Sequence, residues 1–220
     1  MTILVTGAKG FIGKNLIVAL KRYKNLDVIE YDIDSSNETL FKGLSEADII
    51  YHLAGVNRPD QIKEFERVNF EFTKKICDSL CRLNKTPFFV FSSSTQATLD
   101  NPYGVSKRKA EEAVFHFKEK TGAKVAVFRL PGVFGKWCRP NYNSVVATFC
   151  HNIAHDLPIS ISDPAKEIEL VYIDDVVRAF ANVMYGIPPI TEGKYCQVKP
   201  TYRITLGALA ETIRAFRESR

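Results

Sequence analysis

Near its start the chain reads Ile3-Leu-Val-Thr-Gly-Ala-Lys-Gly-Phe-Ile-Gly13, an apolar run that enters three glycines spaced three apart. Ile12, Leu16 and Leu20 then follow at helical spacing. Each glycine has a physical use in a strand–turn–helix unit. Gly7 permits the tight turn, Gly10 lets the backbone approach a pyrophosphate, and Gly13 lets the helix sit against the strand. The helix start offers unpaired N–H groups and partial positive charge to phosphates. The spacing therefore predicts a dinucleotide-binding turn, with Gly7, Lys9, Gly10, Phe11, Ile12 and Gly13 around the cofactor.

The same alternation continues along the chain. Apolar runs at 3–6, 28–31, 49–53, 88–92 and 125–129 read as strands, and amphipathic stretches at about 11–23, 61–83, 103–120 and 143–155 read as helices. That order predicts an α/β fold, a doubly wound Rossmann-type parallel sheet covered on both faces. Between Asp32 and Asp48 there is room for a short helix over 37–45 but hardly for another strand, so the sheet edge there is expected to be short or missing. Beyond 156 the pattern loosens into Pro-rich loops, short strands at 159–161 and 168–172, and helices near 175–185 and 205–218. One domain over 1–220 is expected, with a small C-terminal substrate-binding lobe drawn mainly from about 132–172 and 186–220.

Composition removes several classes. With 45% hydrophobic and 25% charged residues, the 220-residue chain can bury a core and stay soluble. A net charge of +5 without any dense Lys/Arg block argues against a nucleic-acid partner. No run approaches the ~20 apolar residues of a membrane span, and the short apolar start is no signal peptide. Five cysteines, at 77, 81, 138, 150 and 196, form neither a zinc ribbon nor a CxxC pair. They read as reduced thiols of a cytoplasmic protein. His151 and His155 stand at i, i+4 without a sensibly spaced third ligand, so no metal is expected.

Polar residues on apolar stripes mark the chemistry. Asn101 reads as an N-cap and Pro102 as the first residue of a helix whose inward face runs Tyr103, Lys107, Ala110, Val114 and Phe117. A lysine on a buried face is costly unless something needs it there. One turn from Tyr103, its ammonium, with a cationic nicotinamide nearby in the oxidised complex, can lower a phenol pKa of about 10; a three-unit shift takes roughly 4 kcal/mol. Upstream, the strand at 88–92 ends in Ser92-Ser93-Ser94, at the end that faces the ligand crevice of a parallel sheet. Ser94 is the expected carbonyl clamp. Asn69, alone on the stripe Ile62, Phe65, Phe72, Ile76, Leu80 and Leu83, either ties down a neighbouring strand or continues a proton relay from Lys107. Asp32 ends the second strand, where a carboxylate accepts from the ribose 2′-OH of NAD and repels the 2′-phosphate of NADP.

In this order, Thr6-Gly-Ala-Lys-Gly-Phe-Ile-Gly13, Ser92-Ser-Ser94 and Tyr103-Gly-Val-Ser-Lys107 resemble the extended short-chain dehydrogenase/reductase superfamily over essentially the whole chain. His52-Leu-Ala-Gly55 looks like its segment beside the cofactor, and Val68-Asn69 like its helical Asn. The stretches His52-Leu-Ala-Gly-Val-Asn-Arg-Pro59, Gln96-Ala-Thr98, Asp100-Asn-Pro-Tyr-Gly104 and Phe134-Gly-Lys-Trp-Cys-Arg-Pro-Asn-Tyr-Asn-Ser-Val-Val-Ala-Thr-Phe-Cys150 are similar to the reductase domain of the CapF family of capsule-synthesis enzymes. That resemblance implies NADPH-dependent reduction of the C4 ketone of a UDP-linked 2-acetamido-2,6-dideoxy-4-keto-hexose. The product implied is a UDP-2-acetamido-2,6-dideoxy-L-talose, on the way to UDP-N-acetyl-L-fucosamine.

By the same resemblance Tyr103 is the proton donor, Lys107 its activator and ribose anchor, and Ser94 the clamp. Leu53, Ala54, Gly55, Ser92 and Leu130 join the cofactor site. Lys136, Arg139 and Asn143 are candidates for the UDP diphosphate and sugar, since a cationic pair suits a pyrophosphate. A homodimer is expected. Relatives carry a C-terminal cupin domain that epimerises C3 beforehand; this chain stops at Arg220, so either that half is absent or the chain is a fragment, and a cupin epimerase domain or protein is an expected partner. At Gly132 the wider superfamily has an Asn that touches the sugar nucleotide. Asp32 favours NAD(H), whereas the resemblance favours NADP(H). A nucleotide-sugar 4-epimerase would use the same Ser, Tyr and Lys, and a non-catalytic dinucleotide-sensing regulator would share only the fold. Thr95 and Gln96, where a 4,6-dehydratase needs a carboxylate pair, disfavour that reaction.

Overall fold

In a computed structural model that describes residues 1–219, the glycine turn joins β1 (Thr2–Thr6) to α1 (Phe11–Leu20). Then come β2 (Asp27–Tyr31), α2 (Asn37–Glu46) and β3 (Ile49–His52). A π-helical segment, Phe65–Glu71, runs straight into α3 (Phe72–Arg82), followed by β4 (Phe88–Ser94) and a 3₁₀ turn, Thr95–Thr98. α4 (Pro102–Thr121) leads to β5 (Val125–Leu130), β6 (Gly132–Phe134) and α5 (Val145–Ala154). β7 (Glu167–Tyr172), α6 (Ile173–Met184), β8 (Ile190–Glu192), β9 (Tyr195–Gln197), β10 (Tyr202–Thr205) and α7 (Leu206–Glu218) complete the chain.

The main sheet has seven strands in the order β2-β1-β3-β4-β5-β9-β8, all parallel except the β8–β9 pairing. Helices cover both faces. Leu16 and Leu20 of α1 share one apolar cluster with Val176 and Phe180 of α6. Leu40 and Leu44 of α2, Ile76 and Leu80 of α3, and Val114 and Phe117 of α4 fill the other. Burial on both sides explains why β3 is unbroken by exposed positions, with even His52 fully enclosed. As expected, the link from Asp32 to Asp48 holds only α2, and β2 is the sheet edge.

A second sheet, β10-β7-β6, and the α5–α7 pair form a small lobe around Phe149, Ile153, Leu209 and Ala210. Part of the stretch assigned to that lobe lies elsewhere: β8 and β9 extend the main sheet, through Cys196 opposite Phe128. No strand forms at 159–161; Ile159 and Ile161 pack against the lobe from an irregular segment. The single helix expected at 61–83 starts later and is π-wound in its first part, which leaves Ile62 71% exposed and off the buried stripe. All five cysteines are free thiols, and no helix among the described residues is long and apolar enough to cross a membrane.

Candidate functional site

Beyond β1 the chain turns outward to β2, and β3 returns on the other side of β1, which opens a crevice at the carboxyl ends of β1 and β3. Gly7 there has φ +70°, and a Cβ on Gly13 would lie 2.2 Å from the Gly7 carbonyl oxygen. Only glycine permits this approach of α1 to the turn. α1 has no side-chain cap at Gly10 and no acidic residue in its first turn, whereas Ser36, Asn101, Ser144 and Thr205 cap α2, α4, α5 and α7. Its free N–H groups suit an anionic phosphate. Phe11 and Ile12 are part-buried against the core, so their backbone is what they offer.

A cavity of about 600 Å³ opens beside this turn. Gly7, Gly10, Asp32, Leu53, Ala54 and Gly55 line it, as the sequence predicts, together with Tyr31, Ile33 and Val56. Arg67, Val68, Glu71, Phe72 and Lys75 close the far wall. Sequence reasoning missed those five. The signal was present, because Arg67, Glu71 and Lys75 repeat at i, i+4 along a helical face. Asp32 accepts hydrogen bonds from the Lys9 backbone N–H at 2.7 Å and from the Ile33 N–H at 2.8 Å. The Lys9 ammonium is paired with Asp34, one residue pair further out.

Ser94, Tyr103 and Lys107 come together where β4 meets α4. Asn101 caps α4 by accepting from the Gly104 N–H at 2.7 Å, which sets the helix start one residue before Tyr103. Lys107 is 5% exposed, and its ammonium donates to the Ser92 carbonyl at 2.7 Å and stands 4.6 Å from the Phe91 ring centre. Burial pulls its pKa down to about 8, against the raising influence of Glu111. Ser94 is buried, and its oxygen accepts from the Gln96 N–H at 3.1 Å, which leaves the hydroxyl proton to donate elsewhere. The Tyr103 ring packs against Phe65, with centres 5.7 Å apart.

Burial raises the Tyr103 pKa, and the opposing influence comes from the facing Ser94 hydroxyl instead of Lys107. The phenol is therefore protonated at neutral pH. Two hydroxyl donors beside a buried ammonium can clamp a carbonyl oxygen and protonate it. Gly55 is exposed, and a Cβ there would stand 3.0 Å from the Asn69 amide oxygen and 3.7 Å from the Lys107 ammonium. The bare glycine keeps that path between the cavity and Lys107 open, so the residues fit an extended dinucleotide.

Asn69 is 1% exposed and fully engaged. Its amide accepts from the Val56 N–H at 2.8 Å and donates to the Val56 carbonyl and the Ser106 hydroxyl, each at 3.0 Å. Of the two sequence readings, this favours tying down the segment after β3. Leu130 is buried at the end of β5. Lys136 is paired with Asp174 at 2.8 Å, and its carbonyl accepts from Asn15 at 3.2 Å. Arg139 lies 5.4 Å from the Tyr142 ring centre, and Asn143 is exposed before α5. His151 and His155 stack with ring centres 4.3 Å apart.

Residues 3–187 match the family described as NAD dependent epimerase/dehydratase. Over its full length the chain is 47% identical to a UDP-2-acetamido-2,6-beta-L-arabino-hexul-4-ose reductase of Pseudomonas aeruginosa, and it spans 59% of that protein. The capsular polysaccharide assembling protein CapF of Staphylococcus aureus superposes with a TM-score of 0.88 at 39% identity, over 100% of this chain and 58% of that one. A UDP-glucuronic acid 4-epimerase of Bacillus cereus, solved with NAD, superposes at 0.85 over 99% of this chain and 85% of its own. At 20% identity, that likeness speaks for the fold alone. The match over residues 3–187, joined to the glycine turn and the Tyr103–Lys107 pair, means that the chain belongs to the NAD dependent epimerase/dehydratase family.

Proposed function

We propose that the chain reduces the C4 ketone of a UDP-linked 2-acetamido-2,6-dideoxy-4-keto-hexose to a UDP-2-acetamido-2,6-dideoxy-L-talose in the cytoplasm, for surface polysaccharide precursors. The observation that carries this reading is the buried Lys107 ammonium, fixed on the Ser92 carbonyl one helical turn from a phenol that faces Ser94. The crevice lined by Gly7, Gly10 and Asp32 would hold a reduced nicotinamide cofactor, which would supply the hydride. Ser94 donates to the ketone oxygen and orients it. Tyr103 gives that oxygen its proton as charge develops on it. Lys107 holds the ribose and keeps positive charge beside the phenolate left behind. Lys136, Arg139 and Asn143 are proposed for the UDP diphosphate and sugar; for Lys136 this requires release of Asp174.

The test is incubation with reduced cofactor and a panel of UDP-4-keto sugars, followed at the nicotinamide absorbance band. Net consumption with the deoxy amino sugars supports reduction, and interconversion without consumption would favour a 4-epimerase. A homodimer assisted by a cupin epimerase is proposed as the working assembly. The chain alone should reduce the untreated product of a UDP-sugar 4,6-dehydratase at less than about a tenth of the rate reached once a cupin epimerase is added, because its C3 configuration is wrong. Equal rates would mean that the unepimerised ketone is accepted.

NADPH is proposed as the working cofactor. Support comes from the resemblance and from Arg67 and Lys75 in the cavity wall, with Asp32 and Glu71 opposing. Like charges ~4 Å apart cost about 4 kcal/mol at a dielectric of 20, and less once salt screens them. Asp32→Ala should therefore improve the NADPH-to-NADH affinity ratio by about tenfold, read from paired dissociation constants. An unchanged ratio would show that Asp32 does not face the ribose.

A further inference from the structure

Behind Lys107, on the same stripe of α4, lies a charge that the proposed reaction leaves without a task. Glu111 is 1% exposed. A carboxylate this deep is stable only when its oxygens are satisfied. Ser93 of β4 donates to Oε1 at 2.5 Å, and Arg129 of β5 makes a bidentate pair, Nε to Oε1 at 2.9 Å and Nη2 to Oε2 at 2.6 Å. The guanidinium is locked from its other side by the Tyr195 ring of β9, 3.5 Å from the ring centre. Three strands thus converge on one carboxylate of α4, four residues beyond Lys107.

We propose that Glu111 is a positioning residue for Lys107, its fixed carboxylate being the counter-charge that holds the buried ammonium in its cofactor-binding form. This rests on the reading of Lys107 as cofactor anchor. Among the described residues, no other negative charge acts on Lys107. Tyr103 on its own helix is a part-buried neutral phenol, and β4 presents the Ser92 carbonyl. The π-helical segment presents the Asn69 amide. His52 of β3 is kept uncharged, its pKa pulled down to about 3 by burial and by Lys107 itself. Around Glu111 itself stand Ser93, Arg129 and Tyr195. Desolvation of Lys107 is thus opposed by Glu111, while Arg129 and Ser93 hold that carboxylate in place.

The two halves of the ion pair act on Lys107 with opposite sign, which separates this role from a structural one. NADPH dissociation constants measured from pH 6.5 to 9.5 should rise in the wild type as Lys107 loses its proton near pH 8. In Glu111→Gln the rise should begin about one pH unit lower, with affinity at the acidic plateau unchanged. In Arg129→Gln, which leaves the carboxylate uncompensated, it should begin at higher pH. Thermal unfolding identifies which variants fold, and either one decides by the direction of its shift. An unmoved limb in a folded variant, or a loss of affinity by one factor at every pH, would overturn the proposal. A wild type that binds NADPH with no such rise would overturn the anchor reading beneath it.

Discussion

Tyr103→Phe binds cofactor as the wild type does and turns over at least about a thousandfold more slowly. The substitution removes one hydroxyl and leaves the ring on Phe65, where the packing resides. What is lost is the proton that the ketone oxygen needs. Burial, which raises the Tyr103 pKa, keeps that proton in place at neutral pH, as reduction requires. Ser94 can still clamp the oxygen, but its own proton is too weakly acidic to be given up. Turnover and cofactor affinity, measured on the same preparation, check this. Wild-type turnover would remove Tyr103 from the mechanism, and a parallel loss of affinity would make it a binding residue.

Lys107→Met should cost both properties, about a hundredfold or more in turnover and about tenfold in cofactor affinity. Methionine keeps the apolar stem against Phe91 and removes the ammonium. The part-buried Ser92 carbonyl then loses that donor, at a cost of about 1 kcal/mol. The pH dependence follows from the sign of the shift. With its pKa pulled down to about 8, Lys107 is charged below that pH and loses its charge above it. Wild-type turnover should fall as pH rises past about 8, whereas the residual activity of Lys107→Met should lack that limb. Cofactor affinity equal to the wild type would refute the ribose-anchor role.

The parts of the site that depend on local spacing were legible in the sequence. A strand entering three glycines can do little else, and Tyr103 and Lys107 share a stripe because they are four residues apart on a capped helix. Groups that meet only through tertiary packing were not. Arg129 reaches Glu111 because β5 lies beside β4 and α4 crosses above both, and Tyr195 arrives from a three-residue strand with no periodicity to read. The hairpin at 190–197 escaped notice for the same reason, as did the absence of a strand at 159–161. The π-wound start of the helix at Phe65–Glu71 shifted its register, so Ile62 was assigned to a face it does not share. Burial, which raises the Tyr103 pKa against the lowering influence of Ser94, is likewise invisible in a sequence.

Transfer of a label from the cofactor to the sugar tests the central claim most directly. The chain is incubated with NADPH carrying deuterium at the nicotinamide C4 position, a UDP-4-keto-2-acetamido-2,6-dideoxy sugar and a cupin epimerase. The expected result is one deuterium on sugar C4 for each cofactor oxidised, found by mass spectrometry and proton NMR. Product formed without deuterium at C4, or sugar interconverted while the cofactor stays reduced, would contradict it.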